Sequence, residues 1–484
     1  MYRDLREFIE LVGEMGLLRH IQGADPHLEI GGVTEVGASR PESPMLLFDS
    51  IKGYPRGFRV LTNATFNARM AALALGLDTI LSPLDALKAW KAKLARTNPI
   101  PPTVVKHAEF LENVMRGPDV DLDRFPVPYW RENDGGPYIG TAALIVTRDP
   151  NSNWTNTGIY RVQKHSKTRL TVQFDHRGRH GYMIAQVYWN QGKPCPIAIV
   201  IGEDPLLFFA AIEPVPEGKT EYDNAGGLKG APIEVFAGPE MGILVPAHAE
   251  IVIEGLLMPP DQVSLGEGPM GEFTGYYAGE RKPSPVVEVT AVYHRNDPIL
   301  WGAPPLKPPR GAHFGPFRAA RLWNVLETAG VSDIAGVWPH LSSLMIVISL
   351  TQRYAGHAKR AGLIAAANAY MGRIIVVVDE DIDPSSLEDV MWAVATRCEA
   401  GESIDVVKNA WSSHLDPRIS PEDKARGVTT HSKLIIEACR PFAWRNQFPR
   451  PTAMSPEAAK IIAEKWGRAL DAGNQEQAMS REPR

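Results

Sequence analysis

Apolar positions near the start of the chain recur at helical spacing: Leu5, Phe8, Ile9 and Val12 share one side, with charged residues between them. That spacing predicts an amphipathic helix and leaves no continuous apolar core of the kind an export signal carries. The first hundred residues mix short helical and strand patterns and close on Asn98-Pro99-Ile100-Pro101-Pro102, where the prolines disfavour a continuing helix. From about residue 140 to 303 the pattern shortens to apolar runs at 141–146, 197–201, 233–236 and 249–253, separated by Gly, Pro, Asp and Asn clusters. These runs predict a β-rich middle domain, for which a barrel is one closure. Pro304, Pro305, Pro308 and Pro309 break the pattern, and beyond them a helical pattern over 353–370 is followed by a strand over 373–378. Ser385 and Glu388 have capping-box spacing, which predicts a helix from there to about Thr396. Ser455-Pro456-Glu457 predicts one more helix start. In that helix Ala459, Ile462 and Trp466 share a face that needs a partner, from the chain's own core or from another subunit. The expected organisation is α/β and multidomain: an N-terminal α/β segment over 1–110, a central β-rich domain over 111–304, and a C-terminal α/β domain with a terminal helix over 305–484.

Composition narrows the class without choosing a function. With 484 residues the chain is too long for one ordinary core, and 44% hydrophobic with 22% charged residues is ordinary for a folded protein. The formal net charge is -5 and the basic residues are scattered, so a nucleic-acid partner is not expected. Cys195, Cys398 and Cys439 are odd in number and far apart, which argues against a disulfide framework or a thiolate zinc site and fits a reducing cytoplasm. The longest apolar runs, such as 374–378, fall far short of the roughly 20 residues a membrane helix needs.

Three stretches carry candidate chemistry. Asn156-Thr157-Gly158-Ile159-Tyr160-Arg161, followed by Gln173 to His180, places an amide, guanidinium groups and two histidines within the strand-rich region. Arg161 and Arg177 could hold a phosphate or carboxylate through paired hydrogen bonds, and Asn156 and His180 could offer an oxygen and a nitrogen to a metal; solvated surface arginines in an ordinary turn are the alternative. Thr220-Glu221-Tyr222-Asp223-Asn224-Ala225-Gly226-Gly227 sets carboxylates beside a flexible turn. It suits magnesium or manganese better than a thiolate-preferring metal, or else carries ordinary solvated loop acids. Gly266 to Tyr277 places Glu267 and Glu272 in a glycine-rich loop, where two carboxylates sharing a cavity with an arginine could keep one acid protonated near neutral pH; two solvated acids on a turn are the alternative.

Taken together, N-T-G-I-Y-R at 156–161, T-E-Y-D-N-A-G at 220–226, V-P-A-H-A-E-I-V-I-E-G at 245–255, G-E-G-P-M-G-E-F-T-G-Y-Y at 266–277 and R-Y-A-G-H-A-K-R at 353–360 resemble the UbiD family in order and approximate spacing. That family includes the polyprenyl hydroxybenzoate and ferulic acid decarboxylases, and the resemblance runs from the N-terminal helix to about residue 450. It implies a central split β-barrel that binds flavin and a reversible, non-oxidative decarboxylation of an aromatic, heteroaromatic or α,β-unsaturated acid. The implied cofactors are prenylated flavin mononucleotide with manganese or another divalent metal, and potassium as a further candidate ion. By the same resemblance Asn156, Glu221 and His180 hold the metal, with His176 as the alternative histidine. Ile159, Tyr160 and Arg161, with Gln173, Phe174, Asp175, Arg177 and Gly178, line the flavin. Arg161, Glu267 and Glu272 match the family's catalytic trio, Glu272 standing as proton donor where some relatives have Asp. A flavin prenyltransferase as cofactor supplier and a homodimer or homohexamer follow from the resemblance too.

Competing readings are a carboxylase working in reverse, a non-catalytic flavin-binding subunit and a metal-dependent hydrolase. Lys359 is a candidate for the cofactor phosphate or for a surface pair, and Asp379, Glu380, Asp381 and Asp383 read as a solvated turn and helix start. His313, Phe314 and Phe317 are candidates either for the substrate pocket or for packing.

Overall fold

A computed structural model of the chain describes residues 2–174, 178–213, 215–309, 317–452, 454–455 and 457–467. Met1–Cys439 forms one compact unit, and the chain from Arg440 on is a second.

The organising element of the first unit is a ten-stranded sheet. Its main path runs Tyr138–Gly140, Arg161–Lys164, Arg169–Gln173, Lys282–His294, Ile251–Leu257, Cys195–Ile201, Leu144–Arg148, Thr155–Ile159. Neighbours on this path are antiparallel. Tyr160 alone separates Thr155–Ile159, at one end of the path, from Arg161–Lys164, which pairs with Tyr138–Gly140 at the other end. The chain itself therefore leads one edge back to the other, and the sheet rolls into a barrel left open at a seam beside Tyr160. Helices His180–Trp189 and Pro205–Ile212 pack on the strands near this seam. With both faces covered, strands such as Cys195–Ile201 and Ile251–Leu257 read as near-continuous apolar runs rather than alternating ones.

Smaller sheets flank the barrel. The N-terminal one orders Leu18–Gln22, Met45–Asp49, Arg59–Thr62 and Ile299–Trp301, so its last strand comes from the far end of the barrel segment. Helix Leu5–Glu14 buries the expected Leu5, Phe8, Ile9 and Val12 and is capped by Asp4, whose carboxylate accepts from the Glu7 amide at 3.0 Å. The run at 233–236 joins a separate three-stranded sheet as Glu234–Ala237. Toward the C-terminus, Ile334–His340, Met345–Leu350, Ile374–Asp379, Thr430–Ala438 and Ile404–Trp411 form a five-stranded sheet with parallel pairing at its centre. Helix His357–Asn368 packs on it, and the expected strand after it is Ile374–Asp379.

Two local expectations need correction. The capping helix begins one residue late, as Leu387–Arg397 with Ser386 as N-cap accepting from Asp389, because the Ser385 hydroxyl is taken by Asp383 at 2.7 Å. The acids after the strand are also not simply a solvated turn. Asp379 is buried and receives Arg397 at 2.8 Å and Gln352 at 2.8 Å, while Asp381 takes two further bonds from Arg397. Burial alone would lower the Arg397 pKa, and the two aspartates raise it instead. Without Asp379, Arg397 would keep Asp381 as counter-charge but lose one buried, charge-assisted bond, and Gln352 would lose its acceptor. Asp379→Ala is accordingly expected to lower the stability of this unit by about 2 kcal/mol, read as a lower urea midpoint at unchanged slope.

In the second unit, residues 457–467 are helical, with the Ala458 amide donating to the Ser455 hydroxyl at 3.2 Å. Ile462 and Trp466 on that helix are exposed. Pro456, the expected first helical position, lies outside the described residues.

Candidate active site

The barrel seam brings distant carboxylates onto one arginine. Arg161 opens strand Arg161–Lys164, and its Nε and Nη2 donate to the two oxygens of Glu267 at 2.7 and 3.0 Å. Its Nη1 donates to Glu272. Glu267 is fully buried, and its Oε1 also accepts the Tyr138 hydroxyl at 2.9 Å. Burial alone would lower the Arg161 pKa, but the charges of Glu272 and Glu267 drive it well above the ordinary value. Burial and the Glu267 charge likewise push Tyr138 up, so its hydroxyl stays a donor. A guanidinium carries five N–H groups, and three are occupied here. The two that remain lie one on each terminal nitrogen.

Glu267 is not in a loop, as the sequence suggests, but ends strand Ser264–Glu267, paired to the start of Lys282–His294. Glu272 lies beyond it in a turn where the Gly275 amide donates to the Glu272 carbonyl at 2.8 Å. One acid is thus locked in the sheet and the other stands on a turn, with a side chain 11% exposed. That asymmetry leaves Glu267 the more rigidly held of the two acids.

Across the seam lies a second polar pocket. Asn156, buried on strand Thr155–Ile159, donates its Nδ2 to Glu221 Oε1 at 2.9 Å, and the Thr157 amide donates to Glu221 Oε2 at 2.8 Å. Asn156 Oδ1 is buried without a partner among the described residues. Burial pushes the Glu221 carboxyl up to about 7 despite bonds from Thr157 and Asn156 that favour the anion. An orphaned amide oxygen beside a poorly solvated carboxylate is a donor set that a hard divalent cation would complete. Among the described residues no group of three His, Cys, Asp or Glu could hold a metal. His180 opens helix His180–Trp189, and its ring meets that of Trp154 edge-on at 4.9 Å. The Trp154 indole N–H donates at 2.7 Å to the Lys219 carbonyl, two residues before Glu221. His180 and the Glu221 turn are therefore tied to one indole.

The segment around Glu221 is a helix, Glu221–Lys229, and not the flexible turn its glycines suggest. Thr220 caps its start, and a Cβ on Gly226 or Gly227 would come within 2.4 Å of the Ile100 carbonyl oxygen or 2.3 Å of that of Asn98. The glycines admit a crossing chain.

Models of the 3-octaprenyl-4-hydroxybenzoate carboxy-lyase (UbiD) family match the chain in three parts: its N-terminal domain over residues 9–90, its Rift-related domain over 103–308 and its C-terminal domain over 313–438. The chain belongs to the UbiD family. Among its relatives, a phenolic acid decarboxylase of Sedimentibacter hydroxybenzoicus is 32% identical over 471 residues, covering 91% of this chain and 92% of the relative. A pyrrole-2-carboxylic acid decarboxylase of Pseudomonas aeruginosa is 31% identical, covering 96% and 97%. Among solved structures, the UbiD-class enzyme HmfF from Pelotomaculum thermopropionicum in complex with FMN superposes with a TM-score of 0.83 at 30% identity, covering 94% of this chain and 98% of that one. An evolved dimeric form of HmfF in complex with prFMN gives 0.79 at 29% identity over the same shares.

The other residues singled out from the UbiD resemblance are distributed as follows. Tyr160 and Phe174 are buried with ring centroids 4.9 Å apart, and Tyr160 folds back over Gly158, where a Cβ would lie 2.6 Å from its ring. Gln173 is buried and accepts the Ser284 hydroxyl at 3.1 Å; Ile159 is half-buried and Gly178 exposed. Asp175, His176, Arg177, His313 and Phe314 lie outside the described residues. Phe317 is a core residue packed edge-on against Trp90 and Phe209. Lys359 pairs with Asp405 and, at 2.6 Å, with Glu437, and so makes a surface ion cluster. Sequence reasoning missed Tyr138, Trp154, Thr157, Gln163 and Asp134. Of these only Thr157 sits inside a motif that was read, and the others meet the site through partners far along the chain.

Proposed function

We propose that this protein catalyses the reversible, non-oxidative decarboxylation of an aromatic, heteroaromatic or α,β-unsaturated carboxylic acid, with prenylated FMN as cofactor and Glu272 as proton donor. The observation that carries this reading is Arg161 held between a sheet-locked Glu267 and a turn-borne Glu272 at the open seam of the barrel. Family membership and relatives named as decarboxylases of phenolic and pyrrole acids support the reaction class.

Loss of CO2 leaves a bonding electron pair on carbon that no ordinary side chain can accept, and prenylated FMN bound at the seam supplies that electron sink. Asn156, Glu221 and His180 would hold a divalent cation, manganese for example, beside the flavin phosphate; potassium is a further candidate ion. The chain's own residues do the rest. Arg161 grips the substrate carboxylate with its two remaining N–H groups. Glu267 keeps the guanidinium in one orientation. Glu272, at the Nη1 end of Arg161, delivers the proton to the carbon that CO2 leaves. In the reverse direction the same residues run the steps backward.

The proposal includes the division at about residues 110 and 304, a homo-oligomer, a flavin prenyltransferase as cofactor supplier and a cytoplasmic setting. Support for the setting is that the three cysteines are free and that, among the described residues, no helix is long and apolar enough to cross a membrane.

The test is the mass and visible spectrum of cofactor bound by protein co-expressed with a flavin prenyltransferase, followed by an anaerobic screen of aromatic acids for CO2 release. Prenylated FMN is expected only with the prenyltransferase, and Glu221→Ala is expected to lower bound metal and bound flavin together by about tenfold or more. Folded protein supplied with manganese that takes up no flavin in either case overturns the reading.

A further inference from the structure

The turn that carries Glu272 does not stand alone. The Gly271 amide donates to Asp134 Oδ1 at 3.1 Å, and burial together with the charge of the same carboxylate raises the pKa of the Tyr277 hydroxyl. Asp134 therefore acts on the turn on both sides of Glu272, by a hydrogen bond at the preceding residue and by its charge five positions on. The backbones close the same contact: the Gly135 amide donates to the Pro269 carbonyl at 2.6 Å, and a Cβ on Gly135 would stand 1.9 Å from the Gly268 oxygen. Asp134 is only 3% exposed and is itself fixed. Its Oδ2 accepts the Arg131 amide at 3.1 Å, and its carbonyl accepts the Tyr129 hydroxyl. The Arg131 guanidinium reaches the Pro305 carbonyl and lies 3.7 Å from Glu35 on helix Glu29–Ala38. The start of the turn is held separately, where Gln163 Oε1 accepts the Gly268 amide at 3.0 Å.

We propose that Asp134 is the positioning residue of the proton donor: it clamps the turn at Gly271, beside the Gly135–Pro269 backbone contact, and so fixes where the Glu272 carboxyl stands against Arg161. The role rests on the proposed function, since it gives Glu272 a task that depends on placement. Asp134 bonds to the turn rather than to the Arg161–Glu267 pair, so it acts through Glu272. A reacting group displaced by about 1 Å loses on the order of 10²-fold in rate, whereas remote substrate and cofactor contacts are untouched. The signature is a fall in kcat without a matching rise in KM.

The experiment uses the flavin-loaded protein, a panel containing pyrrole-2-carboxylic acid and phenolic acids, and amide hydrogen exchange of the peptide covering 266–277. Asp134→Ala is expected to lower kcat about 10²-fold, with KM and flavin content near those of the parent, and to speed exchange at the Gly271 amide. Asp134→Asn keeps an acceptor for that amide and is expected to restore most of kcat. The clamp is overturned if Asp134→Ala keeps kcat, if its loss follows flavin content, or if Asp134→Asn is as slow as Asp134→Ala. Should Asp134→Ala not fold, a Gly271 amide that shows no protection from exchange in the parent protein overturns it instead. Parent protein that binds prenylated flavin yet releases CO2 from no acid overturns the proposed function alone, and the exchange measurement still decides the clamp.

Discussion

Glu272→Gln is expected to keep its flavin and lose turnover by roughly 10²–10⁴-fold, the range that a positioned general acid contributes. The substitution preserves shape, and the amide oxygen can still accept from Arg161 Nη1, so the turn and the Arg161–Glu267 pair have no reason to move. What is lost is the proton. Cofactor uptake is assigned to residues on the other side of the seam, around Asn156 and Glu221, and should be unchanged in the absorption spectrum. Because the same carboxyl serves both directions, exchange of solvent deuterium into the decarboxylated product should fall with turnover. The measurement is a paired one, steady-state CO2 release and product deuteration in heavy water. Near-normal values of either would remove Glu272 from the role of proton donor.

How far the sequence discloses this arrangement depends on the range of the interaction. Helix Leu5–Glu14 is legible because its buried residues recur at 3.6 spacing, and Cys195–Ile201 because a strand covered on both faces must be apolar throughout. Errors arise where one residue type serves two purposes. Gly226 and Gly227 look like breakers, yet they sit inside a helix because the chain at 98–100 crosses it too closely for a Cβ. Asp379 looks like a solvated strand end until Arg397, 18 residues on, is placed beside it. At the site, Arg161, Glu267 and Glu272 are identifiable through their motifs, but their joining is not, since 106 residues separate Arg161 from Glu267. Asp134, 137 residues from Gly271, has no local pattern at all. Only the rolled sheet makes them neighbours.

Replacing the arginine is expected to have an effect as large, for a different physical reason. Arg161→Lys keeps one positive charge but not the fork: a single ammonium cannot bond both oxygens of Glu267, reach Glu272 and still offer two parallel N–H groups to a carboxylate. Losing one preorganised donor from a site where charge develops typically costs 10²–10³-fold in kcat, and here several are lost together, so a fall of about 10³-fold is expected. KM should rise as well, because Arg161 is assigned to the substrate carboxylate before and during CO2 loss. That rise separates it from Glu272→Gln, for which kcat falls and KM holds. Glu267, fully buried and left with the Tyr138 hydroxyl and an imperfectly placed ammonium, is the group that suffers most. Its burial favours drawing the lysine toward the sheet and away from Glu272. Arg161→Lys retaining more than about a tenth of the parent kcat would mean that a point charge suffices, against a loss of 10²-fold or more for the fork; the two-pronged geometry at the seam would then not be what drives decarboxylation.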